Sequence, residues 1–458
     1  MSSYHSQYVV LGDHPAARSQ ALAHVPIQAG CALFSEEALV TTLFSTQKGL
    51  RCDYCHASST QTRLLKCSGC ASFWYCNGEC QTKQWNAHHR RICKALNRFT
   101  ASPDFQTLSE SEAVDALLLS QFISQLFPKD DFGELVESGL LSTFLDLLPA
   151  RHFDIPPLCR LKSAKPVPQE LLTSIYSRFG NNNFVVHSHL NAYAHGIFPH
   201  ASRFFNHSCD PNAVARYIIN QSQPIKLEIV ALRPIAKGEE ITIPYLDPAL
   251  SFETRDVALR SNYGFKCRCS LCEFSRKIQP APPVPTGPLL SAIEEELREH
   301  VFALAGDTII LDIKSHPHDM SSLPQGLYCL FDPSYLPAIS ETFSKCSHEG
   351  QYEKAISTGV TLLALYFVIY PSNYPQIGML ALELAKTAWN RIVATDSSDE
   401  ELLNGTKSYL RIAGQVLRNF GKEGDEGGPL EELDTLTVLL EKGDSFRRFH
   451  SLGFLFCF

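Results

Sequence analysis

The chain has 458 residues, with 40 Lys and Arg against 48 Asp and Glu, a net charge of −8 and 44% hydrophobic residues. At roughly 150 residues per domain this length holds about three folded units. The balance excludes a disordered chain and one held on nucleic acid mainly by bulk charge.

The N-terminus, MSSYHSQYVV, has no basic stretch followed by an apolar core, so no signal peptide is expected. Short strands are expected at 8–11, 22–25 and 31–36, separated by Pro and Gly turns. A cysteine-rich module follows from Arg51 to Lys94. Apolar residues then recur at helical spacing over 113–127 and 134–148. Strands return at 213–219, 225–232 and 239–245. The stretch 279–288 carries five prolines in ten residues and reads as a stiff, extended linker. Beyond it, helical patterns at 292–304, 352–370, 374–394, 401–420 and 429–443 suggest paired antiparallel helices of a repeat-like array. Its apolar run, Val360 to Tyr370, is shorter than the ~20 residues that span a bilayer. The reading is therefore a protein inside the cell, in nucleus or cytoplasm, without membrane association.

Of sixteen cysteines, seven lie between Cys52 and Cys93, and three more lie at Cys267, Cys269 and Cys272. Pairs two or three residues apart in a long chain point to metal sites rather than disulfides. The first group reads Cys52-x2-Cys55, Cys67-x2-Cys70, Cys76-x3-Cys80 and His89-x3-Cys93, eight soft ligands that suffice for two tetrahedral zinc ions. Zinc would supply the folding free energy that a segment with so little core of its own lacks.

With Phe73-Trp74-Tyr75-Cys76, Gln81 and Trp85, this segment resembles the MYND zinc finger. The resemblance implies interleaved ligation: Cys52, Cys55, Cys76 and Cys80 on one ion, and Cys67, Cys70, His89 and Cys93 on the other. The family histidine sits three residues after the tryptophan, here His88, and four before the last cysteine, here His89. One residue is in excess, and His89 is favoured because the last pair must meet one ion. Arg51, Arg63, Lys66, Lys83, Arg90, Arg91 and Lys94 outnumber Asp53 and Glu79 here. That reads as a solvated face offsetting the thiolates, or as a basic surface for nucleic acid or an acidic partner. The family also implies a docking site for proline-rich peptides.

Asn206-His207-Ser208-Cys209-Asp210-Pro211-Asn212, Ile241-Thr242-Ile243-Pro244-Tyr245-Leu246-Asp247 and Cys267-Arg268-Cys269-Ser270-Leu271-Cys272 follow in order. With a zinc module inserted after the first strands, they resemble SET and MYND domain protein-lysine methyltransferases. Cys-x-Cys-x2-Cys offers three ligands where a structural zinc takes four, and the resemblance supplies Cys209 as the fourth. It implies an α+β architecture. A β-rich SET fold occupies 1–50 and 201–248, with the finger at 51–94 and a helical insertion and linker region at 95–200. A zinc-bound post-SET segment follows at 249–275, then the proline-rich linker at 276–290 and an all-α, tetratricopeptide-like domain at 291–458. The expected cofactors are S-adenosylmethionine and three zinc ions.

Methyl transfer from a sulfonium to a neutral lysine amine needs in-line geometry and polar oxygens around the methyl. By the resemblance, Tyr245 is the catalytic hydroxyl, Asn206 and His207 bind the cofactor, Phe265 stacks on adenine, and Tyr263 and Phe184 line the lysine channel. Where the family has a Gly-x-Gly turn against the methionine end of the cofactor, this chain reads Ser19-Gln20-Ala21. Glycine permits φ > 0 and close backbone approach, so the departure keeps a rival reading open. In it, a silent SET scaffold recruits partners through the finger and the helical array. The first reading is a monomeric enzyme acting on histone or non-histone proteins.

Overall fold

The computed structural model describes residues 7–15, 17–126, 139–150, 154–160, 167–305, 308–313, 319–395, 399–425 and 427–441. Residues 134–138 of the second expected helix, the end of the last one and Cys457 lie outside them.

Two short strands, β1 (Val9–Gly12) and β2 (Gln20–Ala23), pair antiparallel with Leu11 opposite Ala21. β3 (Ala32–Glu37) and β4 (Val40–Leu43) follow, and the finger interrupts the sheet region with its own ribbon, β5 (Leu65–Lys66) and β6 (Trp74–Tyr75). After the helical insertion come β7 (Asn183–Ser188) and β8 (Asn191–Ile197), which complete a three-stranded sheet with β4. β9 (Asn206–His207) precedes the hairpin β10 (Ala213–Ile218) and β11 (Lys226–Ala231), and β11 joins β3 from the far side of the finger and the insertion. β12 (Thr242–Ile243) and β9 form the one parallel strand pair among those described, setting Thr242 beside Asn206 and Ile243 beside His207. The core beneath is apolar and dense: Ala21, Leu33, Leu227, Ile229 and Ile241 are buried together.

The helix Glu110–Leu126 buries Leu118, Leu119, Phe122 and Ile123. They pack against Phe144 of the helix Gly139–Leu145 and against Phe179. This covers the β4 side of the sheet.

Past the prolines, the helix Pro288–Val301 ends in a short hairpin, β13 (Phe302–Ala305) and β14 (Thr308–Ile313). Helical periodicity through 304 overran by three residues there. The helices Tyr335–His348, Tyr352–Ile369, Pro375–Thr395, Glu400–Phe420 and Pro429–Glu441 follow. The first of them has no counterpart in the expected set. Tyr352–Ile369 is long and apolar enough to cross a membrane, but Leu362, Leu363, Leu365 and Val368 are buried among the neighbouring helices. Its hydrophobicity therefore has an internal use. The same core takes in Cys209, Leu259, Leu271 and Phe274, so the array and the post-SET segment share one interior.

Candidate active site and zinc centres

Twelve side chains gather into three buried or half-buried groups: Cys52, Cys55, Cys76 and Cys80; Cys67, Cys70, His89 and Cys93; Cys209, Cys267, Cys269 and Cys272. A tetrahedron with 2.3 Å zinc–sulfur arms has an edge of about 3.8 Å. The sulfurs of Cys55 and Cys76 stand 3.6 Å apart, those of Cys67 and Cys93 3.8 Å, and those of Cys209 and Cys272 3.5 Å. That is the spacing zinc requires, and the donor chemistry, thiolate with one imidazole, matches it.

The surplus residue between Trp85 and Cys93 has a local solution. The helix Gly78–Gln84, capped by Asn77 accepting from Cys80 N at 2.8 Å, runs into one π-helical turn, Trp85–His89. Arg90 N there reaches back to Trp85 O, five residues away. A π-turn absorbs one extra residue and rotates the residues beyond it. His89 Nε2 thereby comes to 3.4 Å from Cys67 Sγ and 3.5 Å from Cys70 Sγ. His88 is buried elsewhere, its carbonyl accepting from Ser124.

The basic residues of the finger do not form one surface. Arg91 is buried and donates to Ala87 O and Ser124 O. Arg51 donates to Asp425 at 2.9 Å, both side chains being sheltered, and lies over the Tyr193 ring. Arg63, Lys66, Lys83, Arg90 and Lys94 remain exposed.

The third metal group adjoins the expected cofactor residues. Tyr245 N donates to His207 Nδ1 at 2.9 Å, and His207 Nε2 lies 3.1 Å from Cys209 Sγ. A main-chain amide can only donate, so Nδ1 is the acceptor and the ring proton sits on Nε2, facing the sulfur. The imidazole thus links the metal group to the backbone of Tyr245, as outer partners of metal sites commonly do. The His207 side chain is occupied by this link, which leaves its main chain for a cofactor.

Tyr245 OH donates to Phe205 O at 2.7 Å. With its proton committed, the oxygen presents lone pairs to whatever lies beyond. Burial, then Tyr263 and Glu240, push the phenol above its ordinary value, so it stays neutral. The Tyr245 and Tyr263 rings stand 5.0 Å apart, and His207 and Phe265 5.9 Å. Tyr263 and Phe265 stay half-exposed, which leaves aromatic surface for a stacking base. Asn206 adjoins this group and spends its amide protons on Ser19 O and Glu240 Oε1, both at 2.8 Å. Its Oδ1 is left as the side-chain contact toward a ligand. These residues fit S-adenosylmethionine: aromatic faces for adenine, an amide, and a neutral hydroxyl in a sheltered position. Phe184 packs edge-on against Phe198 at 5.6 Å. Its ring contact is with that core residue and not with Tyr245 or Tyr263.

The Ser19-Gln20-Ala21 turn uses no left-handed backbone, since positive φ occurs at none of the three. Ala21 is fully buried, and its carbonyl accepts from Ile241 N at 2.7 Å. Serine and alanine therefore carry no backbone penalty here. Arg203, Phe205 O and Glu240 were not anticipated. Arg203 had a signal, a full charge directly before the Phe204-Phe205 pair that precedes Asn206. The Phe205 carbonyl had none, because any residue supplies one.

The SET domain family profile matches residues 21–246. Human histone-lysine N-methyltransferase SMYD3 is 25% identical over 450 residues, covering 92% of this chain and 94% of the relative. N-lysine methyltransferase SMYD2 of Bos taurus is 24% identical over 402 residues, covering 79% and 84%. Histone-lysine N-methyltransferase ASHR1 of Arabidopsis thaliana is 28% identical over 253 residues, about half of each chain. Similarity over nearly the whole length, the three zinc-type ligand groups and the pairing of Thr242 with Asn206 lead to one conclusion: residues 21–246 hold a SET domain, in a chain similar nearly throughout to SET and MYND domain protein-lysine methyltransferases.

Proposed function

We infer that this chain is an S-adenosylmethionine-dependent protein-lysine N-methyltransferase, with S-adenosylmethionine and three zinc ions as its cofactors and a lysine of a histone or non-histone protein as its acceptor. The observation that carries the reading is the meeting of Asn206, His207, Tyr245, Tyr263 and Phe265 where β9 pairs with β12.

When bound, S-adenosylmethionine supplies an electrophilic methyl on a sulfonium. Asn206 Oδ1 and the main chain of His207 would hold the cofactor, and Phe265 would flank the adenine. Tyr245, its proton committed to Phe205 O at 2.7 Å, would offer lone pairs to the positive charge that methyl transfer develops. An oxygen aimed at developing positive charge in a sheltered site acts at full strength. Tyr263, beside Tyr245, would shape the passage for the lysine stem and exclude water, while Phe184 backs the site from the core through Phe198. No carboxylate is needed as base, because the amine gives up its proton to water before attack.

The SET segments 1–50 and 201–248, with Tyr263 and Phe265 of the post-SET segment 249–275, carry the chemistry in this reading. The finger at 51–94 and the array at 291–458 would recruit partners, the finger taking proline-rich peptides. Residence is in nucleus and cytoplasm. The scaffold alternative drew its support from the missing glycines, and the absence of positive φ at Ser19, Gln20 and Ala21 weighs against the conformational half of that argument.

The test is a screen of cell extract with methyl-labelled cofactor, with Tyr245→Phe alongside, and calorimetry of the purified chain with S-adenosylmethionine. Labelled lysine in an extract protein with the parent, and its loss with the variant, is the expected result. A parent that binds cofactor and labels nothing would return the scaffold reading.

A further inference from the structure

Ser19 stands where the family pattern has its first glycine, and its side chain has a partner. Arg203 Nη1 donates to Ser19 Oγ at 2.5 Å. Arg203 Nε lies 3.5 Å from Asp146 Oδ2, and Arg18 Nη2 donates to Asp146 Oδ1 at 2.6 Å. From the other side, Asn206 Nδ2 donates to Ser19 O at 2.8 Å. Both oxygens of Ser19 are thus held, one by the helix Pro199–Phe204 and one by β9.

The two contacts of Arg203 are not equal. The Asp146 side chain is 50% exposed and the Arg203 side chain 18%. An ion pair with a half-exposed carboxylate is weakened by water and salt, whereas a charge-assisted bond to a neutral hydroxyl beside the strand is short and directional. Ser19 also lies one residue before β2, where the ladder to β1 has already ended at Gln20. Without the Arg203 bond, only the Asn206 contact keeps this residue in place. A site that is competent for a fraction of the time binds weaker by that fraction.

We propose that Arg203 is a positioning residue for cofactor binding. Acting through the Ser19 hydroxyl, it sets the Ser19 backbone beside Asn206, just ahead of Gln20 and Ala21, which the β1 ladder and Ile241 N already hold. A side-chain bond thereby stands where the family usually has a Gly-x-Gly turn. Arg203, three residues before Asn206, and the serine in place of glycine are two halves of one device. The proposal rests on the methyltransferase reading above.

Calorimetry with S-adenosylmethionine and with S-adenosylhomocysteine tests it on the full zinc-loaded chain. Ser19→Ala and Arg203→Met should each weaken both ligands by about tenfold, the usual scale for one charge-assisted bond. The double variant should be no worse than either single one, because both remove the same bond. Ser19→Thr, which keeps the hydroxyl, should bind like the parent, and Arg203→Lys should recover part of the loss. In turnover, the cofactor KM should rise while kcat holds. Melting temperature and zinc content are the controls, and Ser19→Ala keeps the test open if Arg203→Met folds poorly. A double variant about a hundredfold weaker, or singles that bind like the parent, would overturn the proposal and leave the methyltransferase reading intact. A parent that binds neither ligand would overturn both.

Discussion

At the scale of single residues, Tyr245 is where chemistry and structure are most closely joined. Its hydroxyl donates to Phe205 O, and its amide is pinned by His207. Tyr245→Phe keeps the ring and loses the oxygen, so methyl transfer should fall by roughly 10²–10³. Cofactor affinity should hold. The melting temperature should drop only slightly, since one neutral hydrogen bond is worth about 1 kcal/mol. A variant that transfers at the parent rate, measured with saturating cofactor, removes Tyr245 from the mechanism. The pH profile makes a second demand. Burial disfavours the phenolate, so the folded-state pKa lies above the ordinary value and the hydroxyl stays neutral at every pH below it. The rate should rise as the target lysine deprotonates, with no fall up to about pH 10. A descending limb between pH 8 and 9 that vanishes in Tyr245→Phe would contradict this.

At the scale of elements, the π-turn at Trp85–His89 decides which of two adjacent histidines faces the second metal group. Elemental analysis should find three zinc ions per chain, and two in His89→Ala. His88→Ala should keep three and lose stability instead, since His88 is buried. The reverse pattern would show that the turn unwinds when metal binds. The segment between the helices Glu400–Phe420 and Pro429–Glu441 is a second informative element. Asp425 reaches Arg51 at the start of the finger. Glu423 O accepts from Ile219 N at 2.7 Å, and its side chain accepts from His189 N at 2.6 Å. Asp425→Ala leaves Arg51 as a sheltered charge without its partner, which costs about 3 kcal/mol when a buried pair is broken from one side. Chemical denaturation should show that loss, and Arg51→Met combined with Asp425→Leu should recover most of it. An unchanged midpoint in Asp425→Ala would mean that the pair is effectively hydrated.

At the scale of the molecule, the proline-rich stretch does not separate two independent bodies. Tyr370 OH donates to Asp247, two residues past Tyr245, at 3.0 Å. Asn373 Nδ2 donates to Leu232 O at 2.7 Å, and Arg216 donates to Phe420 O. Leu271 and Phe274, beside the third metal group, are buried in the same core as Leu363, Leu382 and Leu384 of the array. A chain ending at residue 287 would bare that apolar face, and the expected outcome is aggregation and loss of methyl transfer. Soluble yield, zinc content and activity measured on the truncated chain check this. A soluble product with three zinc ions and parental activity would show that the array is an appendage.

Much of this protein was legible in its sequence because the informative residues are chemically scarce. Cysteines paired at ligand spacing, an Asn-His-Ser-Cys string and a tyrosine closing a strand pattern are types that few other roles require. Helices such as Tyr352–Ile369 and Glu400–Phe420 were legible for a different reason, since their apolar periodicity is local to the segment. What tertiary structure alone decided depends on contacts between residues far apart in the chain. The use of Asn206's amide on Ser19 and Glu240, the tautomer of His207, and the inward turn of Arg51 and Arg91 are set by partners that no local pattern names. The missing glycines show the difference most directly. Residue type suggested a backbone penalty, because glycine matters where φ is positive. Only the fold could show that Ser19, Gln20 and Ala21 never enter that region, and that the serine hydroxyl there has an arginine to meet it.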